Sequence, residues 1–535
     1  MQQRTRRVGV PTAGLALSLV TAAATLSPTA ASAQPSNVVA TDTGLVQGAA
    51  PDANGVTAFK GLPYASAPVG PLRWQAPRSA PAWQEVRRAD AFGPACWGTQ
   101  QAGAPAVAMS EDCLTLNVWQ PPRRLGPPKA VMVWLHGGGF QFGSSADPKY
   151  DGARLAAQGV EVVSLNYRLG AFGFLARPEL DREAGSSGDF GLQDQIAALR
   201  WVQRNIAAFG GDPGNVTLFG QSAGAHAVGM LMSSPQTHGL FAKAVAQSGA
   251  FWDSEYGSIE PHATALAQGA ALSTALNAPT LADLRAVPAD RLAAASGSAF
   301  FAPSVDGRVL TDSPAAVFAR GGQRRVPLLA GYTGAEDFPV FDARALPHAS
   351  PEEFRAAAER MFGAGRMAEF ARLYPAATPA EAAAQARRLV GDMVISEQSW
   401  ELLGLQQRTG GSNVYGYTFT YTSPYSPVPA HVADVPFVFG NLLPQYFAPQ
   451  APPAGEADRA FSDTLMAYWT NFAVRGDPNG PGLPEWPQYA GPGSKVMELD
   501  AEPAAIAEPD AARLGFLASF RSGGRFPESW QRQGS

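Results

Sequence analysis

The sequence predicts an α/β protein with a large, mostly parallel central sheet and helices on both faces. Residues 131–135, 162–165 and 215–219 are short apolar runs of the kind that form buried parallel strands. Between the last two runs, apolar residues recur at steps of three and four, as on one helix face: Ile196, Leu199, Val202, Ile206 and Phe209. Strand, helix and strand in alternation indicate a parallel sheet, because each parallel connection crosses over through a helix.

Two alanine-rich stretches interrupt this alternation, and both are predicted to be mostly helical. They cover residues 255–300 and 351–405. Two interpretations are open: these helices either pack on the outside of the core, or form a wall over the carboxyl edge of the sheet, where open α/β folds bind ligands. Residues 326–331 predict a further buried strand, and the Pro-, Gly- and Trp-rich tail suggests loops over the core.

The bulk composition is that of a globular protein with a sizeable core. The 535 residues are 46% hydrophobic and 16% charged, with a formal net charge of −5. The chain has no Lys- or Arg-rich run, so we expect no nucleic-acid partner.

The N-terminus has the pattern of an export signal. Arg4, Arg6 and Arg7 precede an apolar stretch, residues 13–26, that is too short to span a bilayer. Residues 31–33 match a small-x-small cleavage site, which predicts a signal peptide over 1–33 and a folded domain over 34–535. The Arg6-Arg7 pair leaves a twin-arginine address open. We expect a secreted protein without a stable membrane anchor.

The chain has two cysteines, Cys96 and Cys113. In an exported protein, an isolated pair this close in sequence predicts one disulfide that closes a short loop.

A Gly-x-Ser-x-Gly pattern joins a predicted strand to a predicted helix at residues 220–224. Such a sharp turn strains the backbone of its serine and needs very small neighbours on both sides. It leaves the hydroxyl of Ser222 exposed at the top of the sheet, facing the amides that begin the next helix. The pattern therefore predicts a nucleophilic serine.

A serine hydroxyl needs a base, which is usually a histidine oriented by a carboxylate. In this strand-turn-helix arrangement the order along the chain is serine, acid, histidine. His136 precedes the serine and is excluded. His226 lies on the helix that directly follows the serine, and His238 and His262 leave few strand ends for an acid.

The acid is expected just past a strand, and residues 331–337 meet this condition. This segment contains two carboxylates, Glu336 and Asp337. Two histidines then remain, His348 and His431. His348 lies too close behind the acid for another strand to intervene, so His431 is the better base.

A glycine run at residues 136–140 directly follows the predicted strand that ends at Leu135. Unshielded glycine amides can reach a substrate oxygen, so two of them and the amide of Ala223 predict a three-donor oxyanion hole. A phosphate loop would require Gly-Lys-Ser/Thr, which is absent.

These blocks, together with residues 59–65, 110–119, 166–175 and 209–224, resemble the type-B carboxylesterase/lipase family. This family belongs to the α/β-hydrolase superfamily and includes the cholinesterases. The resemblance covers nearly all of residues 38–530. It implies the α/β-hydrolase fold, with helical insertions that wall the active site of a catalytic domain over 34–535.

The resemblance also assigns catalytic roles by position. Ser222 matches the nucleophile, His431 the base, and Glu336 rather than Asp337 the acid.

Supporting positions follow in the same way. Gly138, Gly139 and Ala223 match the oxyanion-hole donors. Ser248 matches a serine that hydrogen-bonds the acid, and the pair Cys96 and Cys113 matches a family disulfide.

Some positions depart from the family pattern. Gln221 replaces the acidic residue that many members carry before the nucleophile. Trp97 is the one tryptophan between the two cysteines, and the loop lacks the tryptophan with which cholinesterases hold a quaternary ammonium. Gly297 and Ala299 align with bulky acyl-pocket aromatics, which suggests a roomier acyl side. Asp434 replaces a glutamate.

We therefore expect a secreted serine carboxylesterase that hydrolyses neutral esters through an acyl-enzyme. Its partner would be a small-molecule ester, and no metal or organic cofactor is implied. The alternatives are a cholinesterase-like or amidase activity, and a non-catalytic binding module of the same fold. The complete triad disfavours the last, and the oligomeric state is left open.

Overall fold

The computed structural model describes residues 37–99, 108–122, 126–251, 259–297, 299–336, 346–444 and 448–523. The predicted signal peptide and Asp337 lie outside these residues. Within the described part of the chain, no helix combines the length and apolarity needed to cross a membrane.

The residues that the structure describes form seventeen strands, ten of them in the central sheet. In chain order they are β1 (Val38–Thr41), β2 (Gly44–Gly48), β3 (Thr57–Pro63), β4 (Arg87–Ala89), β5 (Ala95–Cys96), β6 (Met109–Ser110), β7 (Thr115–Gln120), β8 (Lys129–Leu135), β9 (Glu161–Leu165), β10 (Gly211–Gln221), β11 (Lys243–Gln247), β12 (Glu260–Pro261), β13 (Ser304–Val305), β14 (Leu328–Thr333), β15 (Val414–Phe419), β16 (Lys495–Leu499) and β17 (Ala504–Ala507).

The described α-helices number sixteen. They are α1 (Ala153–Ala156), α2 (Gly170–Phe174), α3 (Pro178–Ala184), α4 (Phe190–Phe209), α5 (Ala223–Ser233), α6 (His262–Ala275), α7 (Leu281–Ala286), α8 (Ala289–Ser296), α9 (Pro314–Ala319), α10 (Pro351–Phe362), α11 (Met367–Leu373), α12 (Pro379–Gly391), α13 (Glu397–Leu405), α14 (Val435–Phe439), α15 (Glu456–Arg475) and α16 (Ala511–Gly523). Two π-helical turns, Asp392–Ser396 and Gln406–Gly410, follow α12 and α13.

The central sheet has the order β17-β16-β15-β14-β11-β10-β8-β9-β7-β3. Its seven strands from β16 to β9 pair in parallel, and antiparallel pairing is confined to β17 at one edge and β7 and β3 at the other. The prediction of a large, mostly parallel sheet is therefore confirmed. The tail, predicted as loops, in fact contributes β16, β17 and two helices.

The sheet is buried on both faces, which explains why its strands are continuous apolar runs. On β8, Val133 and Leu135 belong to the core that includes the inner stripe of α4, whereas Met132 and Trp134 face a second core. Trp134 there contacts Phe219 and Phe439, with ring centroids 4.8 and 5.0 Å apart. All five residues of the predicted α4 stripe are buried.

The strand order brings several strand ends to one edge. β8, β10, β11, β14 and β15 are adjacent and parallel, so the residues after each strand meet at their shared carboxyl edge. The register aligns Leu135 with Gly220, Gln221 with Gln247, and Gln247 with Gly331. The segments after these strands carry the residues predicted for the site.

The two alanine-rich stretches are mostly helical, as predicted. The first contains α6, α7 and α8, and the second contains α10 to α13. Each approaches the carboxyl edge: Phe300, the last residue of the first stretch, lies near Gly139, and Gly391 at the end of α12 contacts Glu336.

Candidate active site

Ser222 occupies the turn between β10 and α5, and its backbone is strained. Its φ is 58° and its ψ is −127°, a combination that costs roughly 1–3 kcal/mol for a residue other than glycine. The turn is held because the Ser222 amide donates to the carbonyl oxygen of Gln247 (2.9 Å). A Cβ on Gly224 would overlap the carbonyl oxygen of Leu135, so the small neighbours predicted from sequence are sterically required.

Glu336 and His431 are in direct contact. Nδ1 of His431 shares a hydrogen bond with Oε2 of Glu336, and both side chains are buried. His431 also lies against the serine turn, because the side-chain amide of Gln221 donates to the His431 carbonyl oxygen (2.9 Å). The structure thus brings the predicted acid, the predicted base and the residue before the predicted nucleophile into one connected group.

The second carboxylate oxygen of Glu336 is fixed from two directions. Oε1 accepts from the Ser248 hydroxyl (2.6 Å) and from the Thr333 amide (2.7 Å). Ser248 has a positive φ of 54°, and its amide donates to the Gly331 carbonyl (2.8 Å). The Ser248 contact predicted from the family resemblance is therefore present, and it leaves Oε2 for the histidine.

Gln221 is a structural neighbour of the histidine. Its side chain is buried, and its hydrogen bond to the His431 carbonyl oxygen helps to fix the backbone of His431. From sequence, Gln221 is recognisable only as a lost negative charge, because the spacing of residues gives no sign of its contact with His431.

The glycine loop after β8 crosses the serine turn. A Cβ on Gly137 would lie 2.8 Å from the Gln221 carbonyl oxygen and 3.0 Å from Cβ of Ser222. Gly138 and Gly139 have φ values of 118° and 58°, which L side chains rarely adopt. Within the described residues, the amides of Gly138, Gly139 and Ala223 have no acceptor. They are therefore available to an oxygen held above Ser222.

An aromatic side chain stands beside this loop. A Cβ on Gly139 would lie 3.7 Å from Cε2 of Phe300. Gln141 ties the two segments together, since its side-chain amide donates to the Gly139 carbonyl (3.2 Å) and to the Phe301 carbonyl (2.5 Å). The side expected to be roomier because of Gly297 and Ala299 therefore has an aromatic ring, that of Phe300, next to the glycine loop.

Asp434, three residues after His431, is buried beneath the site. It accepts from Gln247 Nε2 (2.9 Å) and from the Tyr417 hydroxyl (3.0 Å). Burial raises the pKa of Asp434 to about 6, against the stabilising effect of these two hydrogen bonds. This carboxylate braces Gln247, whose carbonyl holds the Ser222 amide.

The histidines rejected from the sequence have other environments. Nδ1 of His226 accepts from the Ala250 amide (3.0 Å), and burial lowers the pKa of His226 to about 3. His136 stacks on Tyr167 with ring centroids 4.5 Å apart, and burial lowers its pKa to about 4. His262 pairs with Asp181 at 3.0 Å.

The predicted disulfide is present between Cys96 and Cys113, whose Cα atoms are 5.0 Å apart. Trp97, next to it, stacks on Phe172. Among the residues that the structure describes, no group of three or more His, Cys, Asp or Glu side chains could hold a metal ion.

Comparison with known proteins places this geometry in a family. A family model described as the carboxylesterase family matches residues 35–517. Fumonisin B1 esterase of Sphingopyxis macrogoltabida is 37% identical over 478 residues, which cover 87% of this chain and 87% of that protein. Para-nitrobenzyl esterase of Bacillus subtilis (strain 168) is 34% identical over 502 residues, covering 89% of this chain and 97% of that protein.

The solved structures that this chain resembles are also esterases. A PNB esterase matches with a TM-score of 0.76 and 34% identity, covering 90% of this chain and 99% of that one. A carboxylesterase of Geobacillus stearothermophilus matches with a TM-score of 0.77, 33% identity and the same two coverages. These likenesses establish the α/β-hydrolase fold predicted from the sequence. The chain belongs to the carboxylesterase family and is a carboxylic ester hydrolase.

Proposed function

We propose that the protein is a serine carboxylesterase that acts through an acyl-enzyme intermediate, with Ser222 as nucleophile, His431 as general base and Glu336 as its orienting acid. The observation that carries the proposal is the connected group of buried hydrogen bonds that joins Ser248, Glu336 and His431 beside the strained Ser222 turn. Strain of this kind is retained where the surrounding structure imposes it, and it clusters at active sites.

These contacts determine which nitrogen of His431 carries a proton and which one can accept a proton from Ser222. With Glu336 ionised and accepting at Oε2, Nδ1 of His431 carries the proton and Nε2 is left as the base. His431 takes the hydroxyl proton as Ser222 Oγ bonds to the ester carbonyl carbon. His431 then gives this proton to the departing alcohol oxygen as the ester C–O bond breaks. Water repeats the cycle on the acyl-enzyme and releases the carboxylic acid.

The developing oxyanion is held by the amides of Gly138, Gly139 and Ala223. Their lack of an acceptor within the described residues supports this role, since a preorganised donor needs no rearrangement when charge develops. Removal of one such donor typically costs on the order of a hundredfold in kcat.

Neutral carboxylic esters are the proposed substrates. Gln221, buried under His431, adds no negative charge that would attract a cationic alcohol group. Two relatives are named for fumonisin B1 and for para-nitrobenzyl esters, so these two compounds are the first to assay.

Export is a further part of the proposal. The basic and apolar segments before residue 34 support cleavage after Ala33 and secretion of the catalytic domain over 34–535. N-terminal sequencing of protein recovered from the medium would return Gln34 as the first residue. An unprocessed N-terminus in the recovered protein would contradict this part.

Hydrolysis of p-nitrophenyl acetate by matched variants tests the catalytic assignment. S222A should be folded and should lose essentially all turnover, whereas E336Q should retain a small fraction because the histidine stays in place but loses its charged partner. Ser233 is the matched control, because its buried hydroxyl donates to the Met230 carbonyl oxygen, and S233A should keep wild-type turnover. Substantial turnover by folded S222A would overturn the proposal.

A further inference from the structure

The acid of the proposed triad is contacted by a helix end that no catalytic pattern includes. Gly391 is the last residue of α12, and a Cβ there would overlap the carbonyl oxygen of Glu336. It would also lie 2.9 Å from the Glu336 carbonyl carbon and 3.1 Å from its Cβ. The backbone of Glu336 therefore rests directly on the backbone of Gly391.

Immediately after Gly391 the helix widens into one π-helical turn, Asp392–Ser396, all of which is buried. Such turns are rare inside α-helices and are frequent at functional sites. The first residue of this π-helical turn, Asp392, fixes the turn through its side-chain hydrogen bonds. The Asp392 carboxylate accepts from Arg513 Nε (2.6 Å), from Arg513 Nη2 (3.3 Å) and from the Tyr374 hydroxyl (2.9 Å).

Arg513 anchors this carboxylate to the last described helix. It lies on α16 and makes a second ion pair with Asp510, at 2.8 Å. Burial and its contacts with Asp392 and Asp510 fix the guanidinium between two carboxylates. Removal of one partner from such a pair is costly, because it leaves the other charge buried and uncompensated.

The strand that leads to the acid packs on the same unit. Tyr332 of β14 shares a hydrophobic cluster with Val390, with Val394 of the π turn and with Leu514 of α16. Glu336 follows four residues after Tyr332. Two neighbours therefore set the position of Glu336: strand β14, which precedes it, and Gly391, which contacts its backbone. Both neighbours pack on the π-helical turn and α16, which the Asp392–Arg513 ion pair joins.

We infer that the buried Asp392–Arg513 ion pair positions Glu336 through Gly391, so that α16 helps to set the geometry of the acid–histidine pair. This inference rests on the proposed function, in which Glu336 orients His431. Neither Asp392 nor Arg513 is a catalytic residue, because neither touches the reacting atoms. They act through the backbone contact between Gly391 and Glu336.

Three variants test the inference: G391A, D392N and R513M. Displacement of a catalytic group by about 1 Å can cost on the order of a hundredfold in rate, so G391A should lower kcat for p-nitrophenyl acetate by about that factor. D392N and R513M should lower kcat by about tenfold, because loss of the ion pair should displace Glu336 by less than the added methyl group of G391A does. All three should leave KM within about twofold, since no contact with substrate is removed. R513K should recover part of the loss by restoring the charge.

Two matched variants control for general destabilisation. R388M removes another arginine that reaches Asp510 (3.7 Å) but makes no described hydrogen bond to Asp392. G404A adds a methyl group inside α13 that meets the flexible end of Arg408 and makes an ordinary van der Waals contact with Pro492 Cγ (3.8 Å). Both should keep wild-type kcat. Each variant is assayed well below its Tm and per active site, as titrated with a fluorophosphonate.

The rate of fluorophosphonate labelling gives the second readout, because it depends on serine activation and not on ester binding. The inference predicts slower labelling in G391A and R513M, in step with kcat. It is overturned if these variants have a lower Tm while kcat and the labelling rate stay within twofold of wild type. Failure of the proposed function is distinguishable, because Ser222 of the wild-type protein would then remain unlabelled.

Discussion

Ala335 pairs with Ala430 in an isolated parallel bridge, and the Ala335 amide donates to the carbonyl oxygen of Pro429 (3.0 Å). The residues that follow each member of this pair are Glu336 and His431. Backbone pairing therefore places the acid and the histidine side by side, in addition to the contact between their side chains. Two segments almost a hundred residues apart in sequence are aligned by one bridge, which gives the contact its precision.

The packing of the serine turn predicts a strong effect for a single added methyl group. In G224A the new Cβ would overlap the Leu135 carbonyl oxygen, at the end of the strand that leads into the glycine loop. We expect a loss of about 3 kcal/mol or more in the free energy of unfolding, because neither backbone can move without disturbing the sheet. Denaturant unfolding of the variant measures this loss.

G515A is the matched control for that substitution. Gly515 lies inside α16, and a Cβ there meets no heavy atom within 4 Å. Alanine should therefore stabilise this helix position by roughly 0.5–1 kcal/mol. Equal stability of G224A and wild type would show that the tight approach to Leu135 is unimportant.

Phe300 predicts how the site selects the acyl group. Its ring lies beside Gly139, so an acyl group held by the glycine loop meets an aromatic wall. F300A should raise kcat/KM for a branched or aromatic acyl group, relative to acetate, by about tenfold or more, because removal of the ring opens more room than the single methylene that is already worth about tenfold in an apolar pocket. A panel of p-nitrophenyl esters measures the ratio.

The alcohol side provides the control for F300A. The ranking of acetates of different alcohols should not change, because Phe300 is assigned to the other side of the scissile bond. An unchanged acyl preference, or a change confined to the alcohol series, would remove Phe300 from the acyl side.

His226 predicts acid sensitivity. Burial lowers the pKa of His226 to about 3, below the ordinary value of 6.5. Between these two values the unfolded chain binds a proton that the folded chain does not, so the free energy of unfolding falls as the pH drops from 6.5 towards 3. One such group contributes a slope of about 1.4 kcal/mol per pH unit, and His136 adds a similar slope down to about pH 4.

In H226Q the slope of the free energy of unfolding against pH should correspond to about one proton fewer, because glutamine can accept from the Ala250 amide without titrating. Urea unfolding at several pH values between 4.5 and 7.5 gives the slope for each protein. The same slope in H226Q and wild type would mean that His226 titrates alike in both states.

The disulfide predicts a measurable contribution to stability. Closure of the 17-residue separation between Cys96 and Cys113 should contribute on the order of 3 kcal/mol by restricting the unfolded chain. The C96S/C113S double variant should have a lower Tm, and a reductant should lower the wild-type Tm to the same value. A reductant that also lowers the Tm of the double variant would point to another cause.

The sequence predicted the parts of the site that depend on local pattern. A strand, a turn of tiny residues and a helix can form in few ways, so Ser222 and the glycine loop were recognisable from spacing alone. Elimination along the chain led to His431, and Glu336 was separated from Asp337 by family resemblance. In the structure Glu336 makes the contact with His431.

The remaining features depend on contacts between distant segments. Gly391 lies in an alanine-rich helical stretch and carries no sign that it supports Glu336. Phe300 directly follows Ala299 in sequence, but its position beside Gly139 arises only when the two segments pack together. The neutral side chain of Gln221 was correctly noted, but its hydrogen bond to the His431 carbonyl arises only when β10 and the histidine loop pack together.

The most direct test of the central claim is to locate a fluorophosphonate label by peptide mass spectrometry. An activated serine reacts with this probe, whereas an ordinary hydroxyl does not. The account predicts one label, on Ser222, that is lost in S222A and forms far more slowly in folded H431A. A label on another serine, or equally fast labelling of Ser222 in H431A, would contradict it.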